Sequence, residues 1–172
     1  MYTSIVLFAF AGFSSTAENV VAPSWLTDYP QARKQGAMEK KPLAVFVGNG
    51  EGGFHKLSQE GQLNNTIKKT LANHYVCVYL DSGSQSQQAL IKALAITKGQ
   101  GLVLSDRTGG LQAFHHDGTL STAELSKQLS HFAASEVEVR TTITNVNQRV
   151  SYYPDISAGR QGINGSGATV RC

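Results

Sequence analysis

At 172 residues and 18.4 kDa, the chain has room for one domain with a sizeable core and extended ends. Its hydrophobic fraction of 41% is that of a globular protein. The formal charge of +3 is spread along the chain without a run of lysine or arginine, which argues against a nucleic-acid-binding surface.

The N-terminus carries an apolar run at residues 4–13, SIVLFAFAGF, followed by Ser14-Ser15-Thr16-Ala17. A membrane-spanning helix needs about 20 apolar residues, and this run falls short of that. Small residues at Ser15 and Ala17 have the spacing of a signal-peptidase site. Residues 1–17 are therefore expected to be a signal peptide, although no Lys or Arg precedes the apolar run. The mature chain would then have no membrane span and be exported, to the periplasm or the exterior. No cysteine near residue 17 is available to carry a lipid.

Residues 25–40 read as a helix with Asp28 and Pro30 near its start and Ala32, Ala37 and Met38 on an apolar side; Gly36 weakens it. Residues 43–47, LAVFV, are a continuous apolar run, as in a strand covered on both faces. A glycine-rich turn, Gly48-Asn49-Gly50-Glu51-Gly52-Gly53, follows. A second helix is expected over residues 54–73, with Leu63, Ile67 and Leu71 on one face and Gly61 as a point of weakness. Residues 75–80, YVCVYL, form a second buried strand ending at Asp81.

Ser84 with Gln87 reads as a capping box opening a third helix, whose core face is Ala89, Leu90, Ala93, Leu94 and Ile96. Leu102-Val103-Leu104 is a third strand. The turn Asp106-Arg107-Thr108-Gly109-Gly110 returns residues 111–115 as its antiparallel partner. Ser121 caps a last helix, with Glu124 completing the box and Leu120 stapled to Leu125; Leu125, Leu129 and Phe132 continue the buried face. Long helical crossovers make the first strands parallel, and the short turn makes the last two antiparallel. An α/β fold in three layers is expected, with a mixed sheet of about four strands and helices on both faces. Residues 135–172 are polar and glycine-rich and read as a flexible, disordered tail, with an extended stretch near residues 137–143.

This element order resembles the thioredoxin-like family across residues 24–134. The residues that carry the resemblance are Trp25-Leu26 and Tyr29, the strand KPLAVFV, Leu71 with the run from Tyr75 to Asp81, Leu102-Val103-Leu104-Ser105-Asp106, the Gly109-Gly110 turn, and Gly118-Thr119-Leu120-Ser121. Active members of the family carry a Cys-x-x-Cys pair after the central strand, where a helix N-terminus lowers the thiol pKa. Here that place is Glu51-Gly52-Gly53-Phe54. The family's cis-proline before the third strand corresponds to Gln100.

The resemblance therefore implies the scaffold without the dithiol chemistry, and a binding or assembly module. Its recognition surface is expected at Asn49, Gly50, Glu51, Phe54, His55 and Gln100, with a protein or peptide partner. No catalytic residue, metal ligand or cofactor is assigned. The alternative is a thiol-dependent oxidoreductase or transferase of the same superfamily that uses a single cysteine.

Only Cys77, in the second strand, and Cys172, the last residue, could serve that alternative; Cys172 is also available for an intermolecular disulfide. Gly48-x-Gly50-x-x-Gly53 formally matches a dinucleotide fingerprint, but Asp81 lies too far along and too little chain remains for a doubly wound sheet. His115 and His116 are adjacent in a strand, so their rings should point to opposite faces and not share a metal. His55 beside Glu51 is the one acid–base pair near the turn, and solvated loop residues explain it equally well. His74 and His131 lie near helix ends, where the dipole favours them. Asn64-Asn65-Thr66 and Asn164-Gly165-Ser166 are glycosylation sequons.

Overall fold

The computed structural model of the chain describes residues 22–134 and 137–144. The expected signal peptide, Cys172, the sequon at Asn164 and most of the expected tail lie outside the described residues. Six strands form one mixed sheet in the order β1-β3-β2-β4-β5-β6. The central strand β2, Leu43–Gly48, is buried at all six positions, which is why its sequence is apolar without alternation. It pairs in parallel with β3, Val76–Asp81, and antiparallel with β4, Gly101–Ser105. β5, Gln112–Asp117, continues antiparallel from β4.

Successive β2 residues feed two separate cores. Leu43, Val45 and Val47 pack with Val76, Val78, Leu80 and Val103 against the helices α1, Tyr29–Glu39, and α3, Gln88–Ala93. Ala44 and Phe46 pack with Leu102 and Leu104 against α2, Asn65–His74, and α4, Thr122–Ala133. The α/β class and the helices on both faces are as the sequence implies. Among the described residues, no helix is long and apolar enough to cross a membrane.

Four local expectations are corrected. Trp25–Leu26 is not helical but forms β1, which pairs in parallel with Cys77 and Val78 of β3. The helix starts at Tyr29, where Asp28 accepts a hydrogen bond from the Gln31 N–H at 2.9 Å and Pro30 fits the first turn. Its buried side is Tyr29, Ala32 and Gly36, while Ala37 and Met38 are exposed. Gly36 is a close-approach position, since a β-carbon there would lie 2.8 Å from Leu43 Cδ1.

The helix expected over residues 54–73 is broken. A 3-10 turn spans Gly53–Leu57, and α2 begins afresh with Asn64 as its cap, accepting from the Ile67 N–H at 2.8 Å. Between them Gly61 has φ +71°, and the chain is tied to the start of α4: the Leu120 N–H donates to the Leu57 carbonyl and the Gln59 N–H to the Leu120 carbonyl. Helical periodicity survives because Leu63, Ile67 and Leu71 still meet the same core.

The Ser84 box does not form. Gln87 turns its side chain to accept the Asp81 N–H at 2.6 Å, and α3 starts at Gln88 with Leu90, Ile91 and Leu94 inward and Ala89 and Ala93 exposed. The sheet also has six strands, not about four, because two-residue strands extend both edges. The second of these, β6, Ile143–Thr144, comes from the segment expected in the tail. It pairs in parallel with Phe114 and His115, and the buried Thr142 donates to the Gln112 carbonyl at 2.8 Å.

Candidate functional site

Pairing places Gly48 opposite Asp81 and Val47 opposite Gly101, so β2 and β3 end, and β4 begins, at one end of the sheet. Three connections gather there: the glycine turn, the turn after Asp81, and residues 97–100. The glycine turn is fixed from β3. Tyr79 donates its hydroxyl to the Gly50 carbonyl at 2.6 Å, and Asp81 Oδ1 accepts from the N–H groups of Gly50 and Gly83, both at 2.9 Å. The Ser82 N–H donates to the Gly48 carbonyl at 2.7 Å.

Those N–H groups, Gly50 first and then Gly83, hold Asp81 below its ordinary carboxylate pKa. Burial, then the Asp81 charge, pushes Tyr79 above its ordinary value, so it stays a donor. Two glycines are required by contact, for a β-carbon on Gly48 would stand 2.7 Å from the Gly53 carbonyl oxygen, and one on Gly53 2.1 Å from Tyr79 Oη. The turn is thus a folded structural element. Two of its N–H groups are already committed, that of Gly50 to Asp81 and that of Gly53 to the Gly50 carbonyl, and the helix that follows is only a 3-10 turn.

The structure distributes the six expected residues over three places. Asn49 and Glu51 are exposed at the tip, with Gly50 half-buried between them. Phe54 turns beneath the tip, stacking on Trp25 at 4.4 Å between ring centroids and meeting Tyr79 edge-on at 5.7 Å. His55 packs against Phe54 at 4.2 Å. Phe54 and His55 line a cleft of about 350 Å³ with Pro23, Trp25, Leu63, Asn65 and Lys68. Gln100 lines a separate, shallower recess of about 430 Å³ with Lys98, His116, Asp117 and Thr119. Burial, and then the Lys68 charge, pulls His55 below its ordinary pKa. No hydrogen bond or ion pair joins His55 to Glu51 among the described residues.

Sequence reading missed Trp25, Leu63 and Lys68 as neighbours of Phe54. The available signal was that Lys68 follows the buried Ile67 and so borders the inward face of α2.

Cys77 points into the α2–α4 core. It is 2% exposed, its thiol lies 3.8 Å from the Leu71 carbonyl, and burial pushes its pKa up to about 12. It sits four residues before Asp81 on β3, roughly 13 Å from the loop end at strand rise. The thiol is thus enclosed, held in its neutral form by burial, and set back from the loops at this end of the sheet.

His115 and His116 do point to opposite faces. Buried His115 places Nε2 within 3.1 Å of the Leu94 carbonyl, whereas His116 Nε2 meets the Thr119 carbonyl at 3.1 Å. Among the described residues, no group of three or more His, Cys, Asp or Glu is placed to hold a metal ion. Compared with known proteins, the chain matches no family model and no curated protein.

Proposed function

We propose that the chain is a non-catalytic binding or assembly module on a thioredoxin-like scaffold, exported under the direction of residues 1–17. The mixed α/β sheet, with helices on both faces and the glycine turn after its central strand, supports the scaffold. One observation carries the function. At the strand ends where such folds place chemistry, Asn49 and Glu51 stand exposed on a backbone fixed by Tyr79 and Asp81, with no thiol beside them among the described residues. A rigid, polar loop tip loses little entropy on docking, which suits it to recognising a protein or extended peptide. Gln100, just before β4 and in its own recess, is proposed as a second point of contact.

The test is capture of partners from the exported fraction of the source cells, using the intact chain and the triple variant N49A/E51A/Q100A. Partners retained by the first and lost by the second are expected. Identical partner sets sink the proposal. A disulfide-reduction assay addresses the thiol-dependent alternative: turnover abolished by Cys77→Ser would replace the binding reading with an enzymatic one.

A further inference from the structure

The cleft beneath the glycine turn has a chemistry that the loop tip lacks. Part of its lining is aromatic and apolar, built from the stacked pair Trp25 and Phe54 with Pro23 and Leu63. The rest is polar, with one cation: Lys68, Asn65 and His55. Lys68 is half-buried, and its ammonium makes no hydrogen bond or ion pair among the described residues. Among the described residues, no carboxylate lines the cleft to offset that charge. Asn65 and Lys68 belong to the first turn of α2, whose dipole adds positive potential on the same side. A volume of about 350 Å³ is within the range of small-molecule sites.

We propose that this cleft is a binding site for small aromatic carboxylates, the ring lying against Trp25 and Phe54 and the carboxylate meeting Lys68. An aryl ring matches the aromatic lining in shape and polarity, since aromatic pairs gain from offset or edge contacts beyond their buried area. A carboxylate supplies the negative charge that Lys68 lacks, and a part-buried charge pair is screened less than an exposed one. The inference goes beyond the loop-tip reading and does not depend on it. Partner capture that fails with N49A/E51A/Q100A speaks only to the tip; failed ligand binding speaks only to the cleft.

Trp25 is the sole tryptophan of the sequence, so its fluorescence reports on the cleft lining directly. The experiment titrates the full chain with phenylacetate and with its neutral isostere phenylacetamide. A saturable change in Trp25 emission is expected with phenylacetate, and binding about tenfold weaker for the amide, as for a lost hydrogen bond to a charged group. Lys68→Gln should weaken phenylacetate binding by a similar factor, Lys68→Arg should restore it, and Lys92→Gln, on α3 across the sheet, should leave it unchanged. Far-UV circular dichroism checks that each variant is folded. Equal affinity for acid and amide, undiminished binding by Lys68→Gln, or no Trp25 response to phenylacetate would overturn the proposal.

Discussion

Tyr79 Oη occupies the space that a β-carbon on Gly53 would need, 2.1 Å from its position, while donating to the Gly50 carbonyl at 2.6 Å. The glycine turn and the end of β3 are therefore one packed unit, and its two halves should couple energetically. Gly53→Ala is expected to destabilise the fold by roughly 1–3 kcal/mol, as overpacking does. Tyr79→Phe removes the hydrogen bond and should cost about 1 kcal/mol. In the double variant the alanine meets less, because the hydroxyl is gone, although the ring carbon Cζ at 3.2 Å still limits the relief. Urea denaturation of the four proteins should give a double-variant loss smaller than the sum of the single losses. Simple additivity would show that the turn yields independently of Tyr79.

Glu60 ties the break between the 3-10 turn and α2 to the start of α4. Its Oε2 accepts from Ser58 Oγ at 2.6 Å, from Thr122 Oγ1 at 2.6 Å and from the Thr122 N–H at 2.9 Å. These bonds, led by that from Ser58, lower its pKa to about 2. A carboxyl with a depressed folded pKa binds fewer protons when folded, so its stabilisation is present above its ordinary value of 4.5 and is lost as pH falls toward 2. Glu60→Gln should therefore destabilise at neutral pH and flatten the acid limb of the stability curve. Thermal melts from pH 7 to pH 2 check this; parallel curves for the two proteins would deny Glu60 its role.

Helix caps show how far sequence could see. Ser121 was legible, and its hydroxyl accepts the Glu124 N–H at 3.2 Å. Ser84 has the same spacing to a glutamine, yet its hydroxyl meets Ser86 while Gln87 serves Asp81. Ser121→Ala and Asn64→Ala should each cost about 1 kcal/mol, whereas Ser84→Ala should fall within about 0.5 kcal/mol of the parent. Chemical denaturation midpoints would decide it, and a large loss for Ser84→Ala would restore the capping box.

The contrast between those caps has a general form here. Features set by local pattern were readable: the all-buried run of β2, the antiparallel return after Asp106, the inward face of α4. Features set by distant partners were not. Two residues such as Trp25–Leu26 carry no periodicity, and only β3 makes them a strand. The break after Leu57 is held by Leu120, and the glycine turn is fixed by Tyr79 and Asp81 some thirty positions on. Read locally, that turn is a glycine-rich stretch with nothing to fix it. Its order comes from β3, as does the separation of Phe54 and His55 from Gln100.

Cys77 tests the absence of thiol chemistry most directly. Its side chain is enclosed by the α2–α4 core beside the Leu71 carbonyl, and the thiol is pushed up to about 12 by burial. Because its folded pKa lies above the ordinary 9.0, the neutral thiol is the form the fold favours, and that preference is fully present below pH 9 and lost as pH rises toward 12. In a Cys172→Ser background, which leaves Cys77 as the single thiol, iodoacetamide at pH 8 should label the native chain at least about a hundredfold more slowly than the urea-unfolded chain, since only transient opening exposes the sulfur. The native rate should rise when Leu71→Ala thins the cover over the sulfur. Native labelling as fast as unfolded labelling would mean that the thiol reaches solvent, and the single-cysteine enzyme would regain its ground.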